Sequence, residues 1–369
     1  MCAKPKVVVA MSGGVDSSLT AALLVHEGYE VIGVTMRLSD DSHDFDIDAD
    51  RGCCSLSAVD DARRVADTIG IPHYVMNFRD MFQAKVVDYF ISEYAKGKTP
   101  NPCIACNRYV KFEGLLKRSL ELGAEFVATG HYARIEADKI TGRYMLRKGI
   151  DVTKDQSYAL YHLNQKTLHH FMMPLGNYTK IETRKMAAEF DLTVANKPDS
   201  QEICFVPNDD YKAYLEDKVP QALKPGNIVD INGNILGEHK GVPLYTIGQR
   251  KGLGIAAKTP LYVIGLDLAK NRVIVGENQD VFADELIATD LNWITIDELT
   301  EPLTVAAKVR YGAKEGQAVI TPITKEVIRV RFMEKQRAIT PGQSVVFYDG
   351  DKVVGGAVII KAVHRKNKA

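Results

Sequence analysis

Apolar positions follow two periods along the first 210 residues. Val7, Val8 and Val9 form a short branched run, the pattern of a strand buried on both faces. Leu19, Ala22, Leu23 and His26 then recur at helical spacing, and Gly28 marks a stop. Val31 to Met36 reads as a second strand. Ser57-x-x-Asp60 reads as a variant capping box for a helix through Val65 and Ile69 that ends at Gly70. His73 to Phe78 is a third strand and Asp80 to Lys96 a third helix. Asn107 is placed to cap a helix carrying Phe112, Leu115, Leu116 and Leu120, and Glu125 to Thr129 is a further strand. This alternation predicts an α/β fold with a doubly wound parallel sheet, whose ligands belong at the carboxyl ends of the strands. Beyond Asp210 the pattern shortens. Turn signals at Asn232-Gly233, Gly252-Leu253-Gly254, Gly312 and Asp349-Gly350 separate short alternating strands. From Glu326 to Met333, Ile328, Val330 and Phe332 share one face while Arg329 and Arg331 point out. The expected division is a catalytic domain over 1–210, a small central β domain over 211–285 and a C-terminal β-barrel over 286–369.

Composition changes this picture little. The 369 residues are 46% hydrophobic and 25% charged, with formal net charge zero. No apolar run approaches the ~20 residues of a membrane span, and the opening residues have no signal-peptide core, so a cytoplasmic protein is expected. Net neutrality does not decide for or against RNA, because a local basic face is what matters. Asp40 to Asp50 is acidic but fails the calcium-loop pattern, with Ala49 and Ser55 where glycine and glutamate are needed. It reads as a solvated loop facing away from any polyanion.

The chemistry concentrates first in Ser12-Gly13-Gly14-Val15-Asp16-Ser17-Ser18, between the first strand and the first helix. Two glycines allow a tight turn, and several N–H groups then converge at a helix N-terminus, an anion nest suited to phosphate. The loop is neither a Walker A sequence nor a Gly-x-Gly-x-x-Gly fingerprint. It resembles the PP-loop of the ATP pyrophosphatases, which attach AMP to a substrate oxygen and release pyrophosphate. Asp16 in such a nest would repel phosphate unless a cation lay between, which implies Mg²⁺ beside ATP.

Cys103-x-x-Cys106 lies in a loop braced by Pro100 and Pro102, and Cys204 lies in Asp199-Ser200-Gln201-Glu202-Ile203-Cys204-Phe205. A helix start after Cys106 would lower its thiol pKa. A zinc ribbon wants two Cys-x-x-Cys pairs and only one is present. A thioredoxin-like pair would open the helix after the first strand, a place already taken by the phosphate loop. Cys53 and Cys54 read as buried, inert cysteines and the terminal Cys2 as a free tail thiol.

These motifs together resemble the tRNA-specific 2-thiouridylase family over nearly the whole chain. The resemblance rests on Ala10–Ser17, Thr99–Asn107, Gly130-His131-Tyr132-Ala133-Arg134, Lys154-Asp155-Gln156-Ser157-Tyr158 and Ser200–Phe205. It continues through Thr246-Ile247-Gly248-Gln249-Arg250-Lys251-Gly252-Leu253-Gly254, Val309-Arg310-Tyr311 and Pro341-Gly342-Gln343. It implies a tRNA-uridine 2-sulfurtransferase that adenylates the 2-oxygen of the wobble uridine and replaces it with sulfur. Ala10, Met11, Ser12, Gly13, Gly14, Val15, Asp16, Ser17, Met36 and Gly130 would bind ATP. Asn101, Pro102 and Cys103 would line the target-base pocket. Cys106 would be the nucleophile partnering Cys204, the persulfide carrier. His131, Lys154, Asp155, Gln156, Arg310, Tyr311 and Gln343 would contact tRNA at its anticodon loop. A cysteine desulfurase or sulfur-relay protein would supply the sulfur. Many family members carry aspartate where this chain has Cys103, so a general-acid role of that carboxylate is not carried over.

Two sulfur routes remain open. In the preferred one, Cys204 carries a persulfide, Cys106 releases its sulfur through a transient disulfide, and Cys103 is a spectator. In the other, Cys103, Cys106 and Cys204 hold three irons of a 4Fe–4S cluster whose fourth iron carries the sulfur, an order of cysteines also seen in related tRNA-thiolating PP-loop enzymes. Outside this family, the readings are another PP-loop enzyme adenylating a small molecule, which would need neither Cys106 nor Cys204, and a non-catalytic RNA-binding β-barrel protein, against which the intact phosphate loop argues.

Overall fold

The computed structural model describes residues 4–39, 56–199 and 203–363. Cys2, Cys53, Cys54, the Asp40–Asp50 loop and Ser200, Gln201 and Glu202 lie outside the described residues. Packing divides the chain into two units. One comprises Met1–Val87, Cys103–Asp209 and Asp351–Val353, the other Asp88–Pro102, Asp210–Gly350 and Val354–Ala369.

The first unit is built on β1 (Lys6–Ala10), β2 (Glu30–Arg37), β3 (His73–Asn77), β4 (Phe126–Ala128), a hairpin of β5 (Ala133–Ala137) and β6 (Tyr144–Lys148), and β7 (Phe171–Met172). Five of these form one sheet in the order β3-β2-β1-β4-β7, and every pairing is parallel. Successive residues of β1 point to opposite faces, yet Val7, Val8 and Val9 are all 0% exposed, so both faces are covered, as a doubly wound sheet requires. Burying each contributes roughly 1.5–3 kcal/mol. Leu19 and Leu23 of α1 (Val15–His26) and Val65 of α2 (Leu56–Ile69) pack into this core, which confirms the helical periodicity. Within α2, Asp60 pairs with Arg63 at 3.1 Å, one turn on. The strand order reverses at β1: β2 lies on one side and β4 on the other. Such a switch point is where a doubly wound sheet places its ligand crevice, here beyond the carboxyl ends of β1 and β4.

The second unit contains β8 (Gly226–Val229), β9 (Ile235–His239), β10 (Tyr262–Asp267) and β11 (Arg272–Gly276), paired in the order β10-β11-β8-β9. They are followed by β12 (Phe282–Trp293), β13 (Leu303–Lys308), β14 (Gly316–Pro322), β15 (Ile328–Arg337), β16 (Ser344–Asp349) and β17 (Lys352–Val363). These six run β12-β15-β14-β13-β16-β17, and β12 pairs again with β17, closing the expected barrel. Ile328, Val330 and Phe332 of β15 fill its interior while Arg329 and Arg331 face out. Those two arginines are not a free basic stripe: they close on opposite oxygens of the nearly buried Glu285, at 3.2 and 3.3 Å.

Candidate active site

The phosphate loop leaves β1 at Ala10 and ends in α1. Gly13 turns the chain at φ +68°, where a Cβ would lie 2.2 Å from the Ala58 carbonyl oxygen, so glycine is demanded twice over. Gly14 is the N-cap of α1 and supplies no side-chain cap, which leaves the first N–H groups of the helix for a ligand. Inside the loop, Ser12 N donates to Ser17 Oγ at 3.1 Å and Ser17 Oγ donates to the Gly14 carbonyl at 3.2 Å. Lys197 Nζ reaches the Gly13 carbonyl at 3.2 Å and pairs with Asp61 at 2.7 Å. Met11, Val15 and Ser17 are buried, whereas Ser12, Gly14 and Asp16 are half-buried and open to the crevice.

Gly130 follows β4 on the other side of the crevice. A Cβ there would stand 2.7 Å from Asp16 C and 2.8 Å from Ser17 N, so the chain after β4 lies against the first peptides of α1. Met36, near the carboxyl end of β2, is 9% exposed and paired with Met76.

Asp16 already meets a cation of the protein: Lys180 Nζ lies 2.7 Å from Oδ1 and 2.8 Å from Oδ2, and the Tyr132 hydroxyl donates to Oδ1 at 2.8 Å. Lys180 also pairs with Asp199 at 2.8 Å, and Asp199 receives Lys154 at 2.8 Å and Arg184 at 3.0 Å. Burial would raise the Asp199 carboxyl, but hydrogen bonds from Lys154 and Lys180 outweigh it and hold it below the usual range. Burial, with the Asp16 charge, pushes the Tyr132 phenol well up, so it stays a donor. Among the described residues no group of three or more His, Cys, Asp or Glu side chains is placed to hold a metal. Mg²⁺ accompanying ATP needs no such group, since one or two carboxylates and the phosphates themselves suffice to hold it.

Lys180, Asp199 and Tyr132 carry a role that motif reading missed. One signal was available. Thr179 and Glu182 form a capping box, so Lys180 occupies the first helical position, where the helix dipole disfavours a cation and a lysine implies an anionic partner.

The cysteine loop also differs from expectation. Its helix starts at Pro102, not after Cys106, because proline at the first helical position loses nothing by lacking an N–H. Asn107 is therefore no cap; it is buried within a π-helical stretch, Cys106–Gly114, and its amide donates to the Ala159 carbonyl at 3.1 Å. Cys103 sits exposed in the first turn and Cys106 buried in the second, so the dipole acts more on Cys103. Cys204 is exposed on a turn anchored by Phe205, whose ring meets Phe82 edge-on at 5.8 Å.

The residues expected at tRNA divide by environment. Asp155 accepts from Gly149 N and Ser157 N at 3.1 Å, and Gln156 Oε1 accepts from Tyr132 N at 2.9 Å, so both brace the chain beside Tyr132. Lys154 is held by Asp199. Burial keeps the His131 ring neutral, with Nδ1 2.8 Å from Thr129 Oγ1. In the second unit, Tyr311 is 45% exposed with Lys308 Nζ 5.6 Å from its ring centre, and Arg310 reaches the Arg337 carbonyl at 3.5 Å. Gln343 Nε2 donates to the Thr99 carbonyl at 2.8 Å. Asn101 and Pro102 follow Thr99 in the chain.

Residues 5–208 match the family described as tRNA methyl transferase HUP domain, 212–277 its PRC-barrel domain, and 283–359 an aminomethyltransferase beta-barrel domain. The chain is 55% identical to tRNA-specific 2-thiouridylase MnmA of Acetivibrio thermocellus, over 96% of its own length and 99% of the relative's. It is 56% identical to the protein of that name from Heliobacterium modesticaldum, over 98% and 94% of the two chains. With tRNA-specific 2-thiouridylase MnmA 1 of Caldanaerobacter subterraneus the identity is 55%, over 97% and 98%.

Proposed function

The chain belongs to the tRNA-specific 2-thiouridylase family, and on that premise we propose how its own residues convert the wobble uridine of tRNA to 2-thiouridine. The family description speaks of methyl transfer and the relatives' names of thiolation. The observation that favours thiolation is the uncapped α1 N-terminus beside the Asp16–Lys180 pair, a phosphate cradle with its own cation, for which methyl transfer has no use.

ATP lies with its phosphates on the Ser12–Ser17 backbone, its nucleoside towards Met36 and Gly130. Asp16 stands beside those phosphates, where a Mg²⁺ bound with ATP would balance their charge. The uridine 2-oxygen attacks the α-phosphorus and pyrophosphate departs, which converts a poor leaving group into AMP. Lys180, turning from Asp16 towards the polyphosphate, balances charge as it builds on the departing pyrophosphate. The base reaches the site flipped from the anticodon stack, against Asn101, Pro102 and Cys103.

Sulfur arrives as a persulfide on exposed Cys204, loaded by a cysteine desulfurase or relay protein. Cys106 thiolate attacks the Cys204 sulfur. The S–S bond of the persulfide breaks, hydrosulfide leaves, and a Cys106–Cys204 disulfide forms, so the transferred sulfur gains the two electrons that the two thiols lose. Hydrosulfide adds at carbon 2 and AMP leaves. A cellular thiol then reduces the disulfide, in the cytoplasm where tRNA is modified. His131, Lys154, Arg310 and Tyr311 are assigned to the RNA.

The test is tRNA-dependent pyrophosphate release together with mass spectrometry of the wobble nucleoside after incubation with ATP, Mg²⁺ and a sulfur source. Pyrophosphate release that ignores tRNA, with no gain of sulfur at the 2-position, sinks the proposal.

A further inference from the structure

In the second unit the stretch Thr246–Gly254 forms part of a cleft of about 480 Å³, whose lining also includes Tyr94, Thr99, Tyr211 and Lys212. This turn is rigid for identifiable reasons. Gly248, Gly252 and Gly254 stand at φ +88°, +73° and +68°, angles that other residues rarely adopt. Gln249 staples it: Thr246 N donates to Gln249 Oε1 at 3.1 Å, and Gln249 Nε2 donates to the Lys251 carbonyl at 2.9 Å.

The opposite wall is aromatic. The Tyr94 and Tyr211 rings lie 5.5 Å apart at 35°, and both hydroxyls hydrogen-bond with Thr246. Thr99 Oγ1 donates to Thr246 Oγ1 at 3.4 Å. Tyr94 is buried, whereas the Tyr211 ring is half-open to the cleft. Two cations complete the lining. Lys212 Nζ sits 5.5 Å from the Tyr245 ring centre, Lys251 is exposed, and neither ammonium joins an ion pair among the described residues. The neighbouring carboxylate, Asp210, accepts Lys212 N and Ala213 N at 3.0 Å and so caps its helix.

An aromatic face, two ammonium groups in the lining and a volume within the usual 300–1,000 Å³ of ligand sites suit a nucleotide of single-stranded RNA. We propose that this cleft binds one nucleotide of the anticodon loop flanking the target uridine, its phosphate between Lys212 and Lys251 and its base on the Tyr211 ring. The inference rests on the tRNA reading above and adds a subsite to it. Thr99 gives it a position: this wall residue is the first of the segment that continues through Asn101 and Pro102.

The test is titration of the full chain with a tRNA carrying wobble uridine, over a salt series, alongside thiolation of the same tRNA. For Lys212→Ala with Lys251→Ala, affinity should fall at least tenfold, and the slope of log Kd against log salt should shrink by about 0.7, the value for one phosphate contact. Tyr211→Leu should weaken binding at least fivefold and Tyr211→Phe, which keeps the ring, should restore it. Should Tyr211→Leu fail to fold, the rim-lysine variant carries the test. Unchanged affinity and salt slope in that variant, while wild-type protein thiolates the tRNA, overturn the cleft proposal alone. A wild-type protein that neither binds nor thiolates tRNA overturns the function reading and the cleft with it.

Discussion

Lys180 and Asp16 form a bidentate ion pair, at 2.7 and 2.8 Å, between the first residue of one helix and the second residue of another. On the proposed mechanism the pair would let an aspartate stand in a phosphate nest without repelling phosphate, because a cation is built in beside it. Lys180 would then be a displaceable group, for which polyphosphate competes with Asp16 and Asp199. Lys180→Met should therefore lower tRNA-dependent pyrophosphate release at least 100-fold. It should also destabilise the fold, by less than the ~3–5 kcal/mol of a fully buried pair, since Asp16 is partly exposed. Asp16→Asn combined with Lys180→Met should cost less activity than the two single losses added, because the second change relieves the charge stranded by the first. Strict additivity in that cycle would show that the pair is not the acting unit.

Gly130 offers a sharper steric test. Its missing Cβ leaves room for the Asp16–Ser17 peptide, and Gly130→Ala places a carbon 2.7 Å from Asp16 C. Backbone cannot yield as a flexible side chain can, so strain of about 1–3 kcal/mol is expected. The displaced loop should raise the KM for ATP more than tenfold while leaving the affinity for tRNA within twofold. Unaltered ATP kinetics would remove Gly130 from the site.

Much of this architecture was legible in the chain. Val7–Val9 announced a strand covered on both faces, the alternation in Ile328–Phe332 announced a barrel wall, and the Gly13–Gly14 loop fell where the strand order reverses. What stayed hidden was long-range pairing. Lys180 reaches Asp16 across 164 positions of sequence, and Arg329 and Arg331 are drawn onto Glu285 across the β12–β15 ladder. Period and propensity describe neighbours in sequence; partners of charged groups follow from topology. The helix start was misplaced for a local reason: Asn107 reads as a cap, but Pro102 is the better first helical residue and lies one turn and more earlier.

Gln343 is expected from the resemblance to contact tRNA, and its amide donates to the Thr99 carbonyl while Thr99 N donates to the Pro341 carbonyl at 2.9 Å. The Pro341–Gln343 turn thus grips Thr99 from both sides, and Thr99 leads the chain into Asn101 and Pro102. A neutral hydrogen bond of this kind is worth roughly 0.5–1.5 kcal/mol. Gln343→Ala is expected to lower the thiolation rate two- to tenfold with tRNA affinity nearly unchanged. A large loss of affinity with an unaltered rate would mean that Gln343 touches the RNA directly.

His162 is buried with both ring nitrogens lacking hydrogen-bond partners among the described residues, its edge against Phe112 at 5.9 Å. Burial, with the Arg108 charge, lowers its pKa to about 3. The unfolded chain binds this proton near pH 6.5 and the folded one does not until about 3. The contribution to stability is therefore full above about pH 6.5 and is lost as pH falls through that window, at most ~1.4 kcal/mol per pH unit. His162→Leu should flatten the fall in thermal midpoint between pH 7 and 5. An identical fall in the variant would assign acid lability to other groups.

Cys103 decides between the two sulfur routes. It is exposed in the first turn of its helix, Cys106 is buried one turn on, and Cys204 stands on a separate turn. The persulfide route needs only Cys106 and Cys204, since one thiol carries the sulfur and the other takes its place in a disulfide. A cluster needs Cys103 as a third ligand as well. Cys103→Ser, prepared and assayed without oxygen, should thus retain at least a third of wild-type thiolation and show the same activity with and without added iron. Cys106→Ser and Cys204→Ser should each abolish sulfur transfer while leaving tRNA-dependent pyrophosphate release intact, which separates sulfur chemistry from adenylation but does not discriminate between routes. Intact adenylation in Cys103→Ser, with loss both of thiolation and of an iron–sulfur absorbance present in the wild type, would require the cluster route.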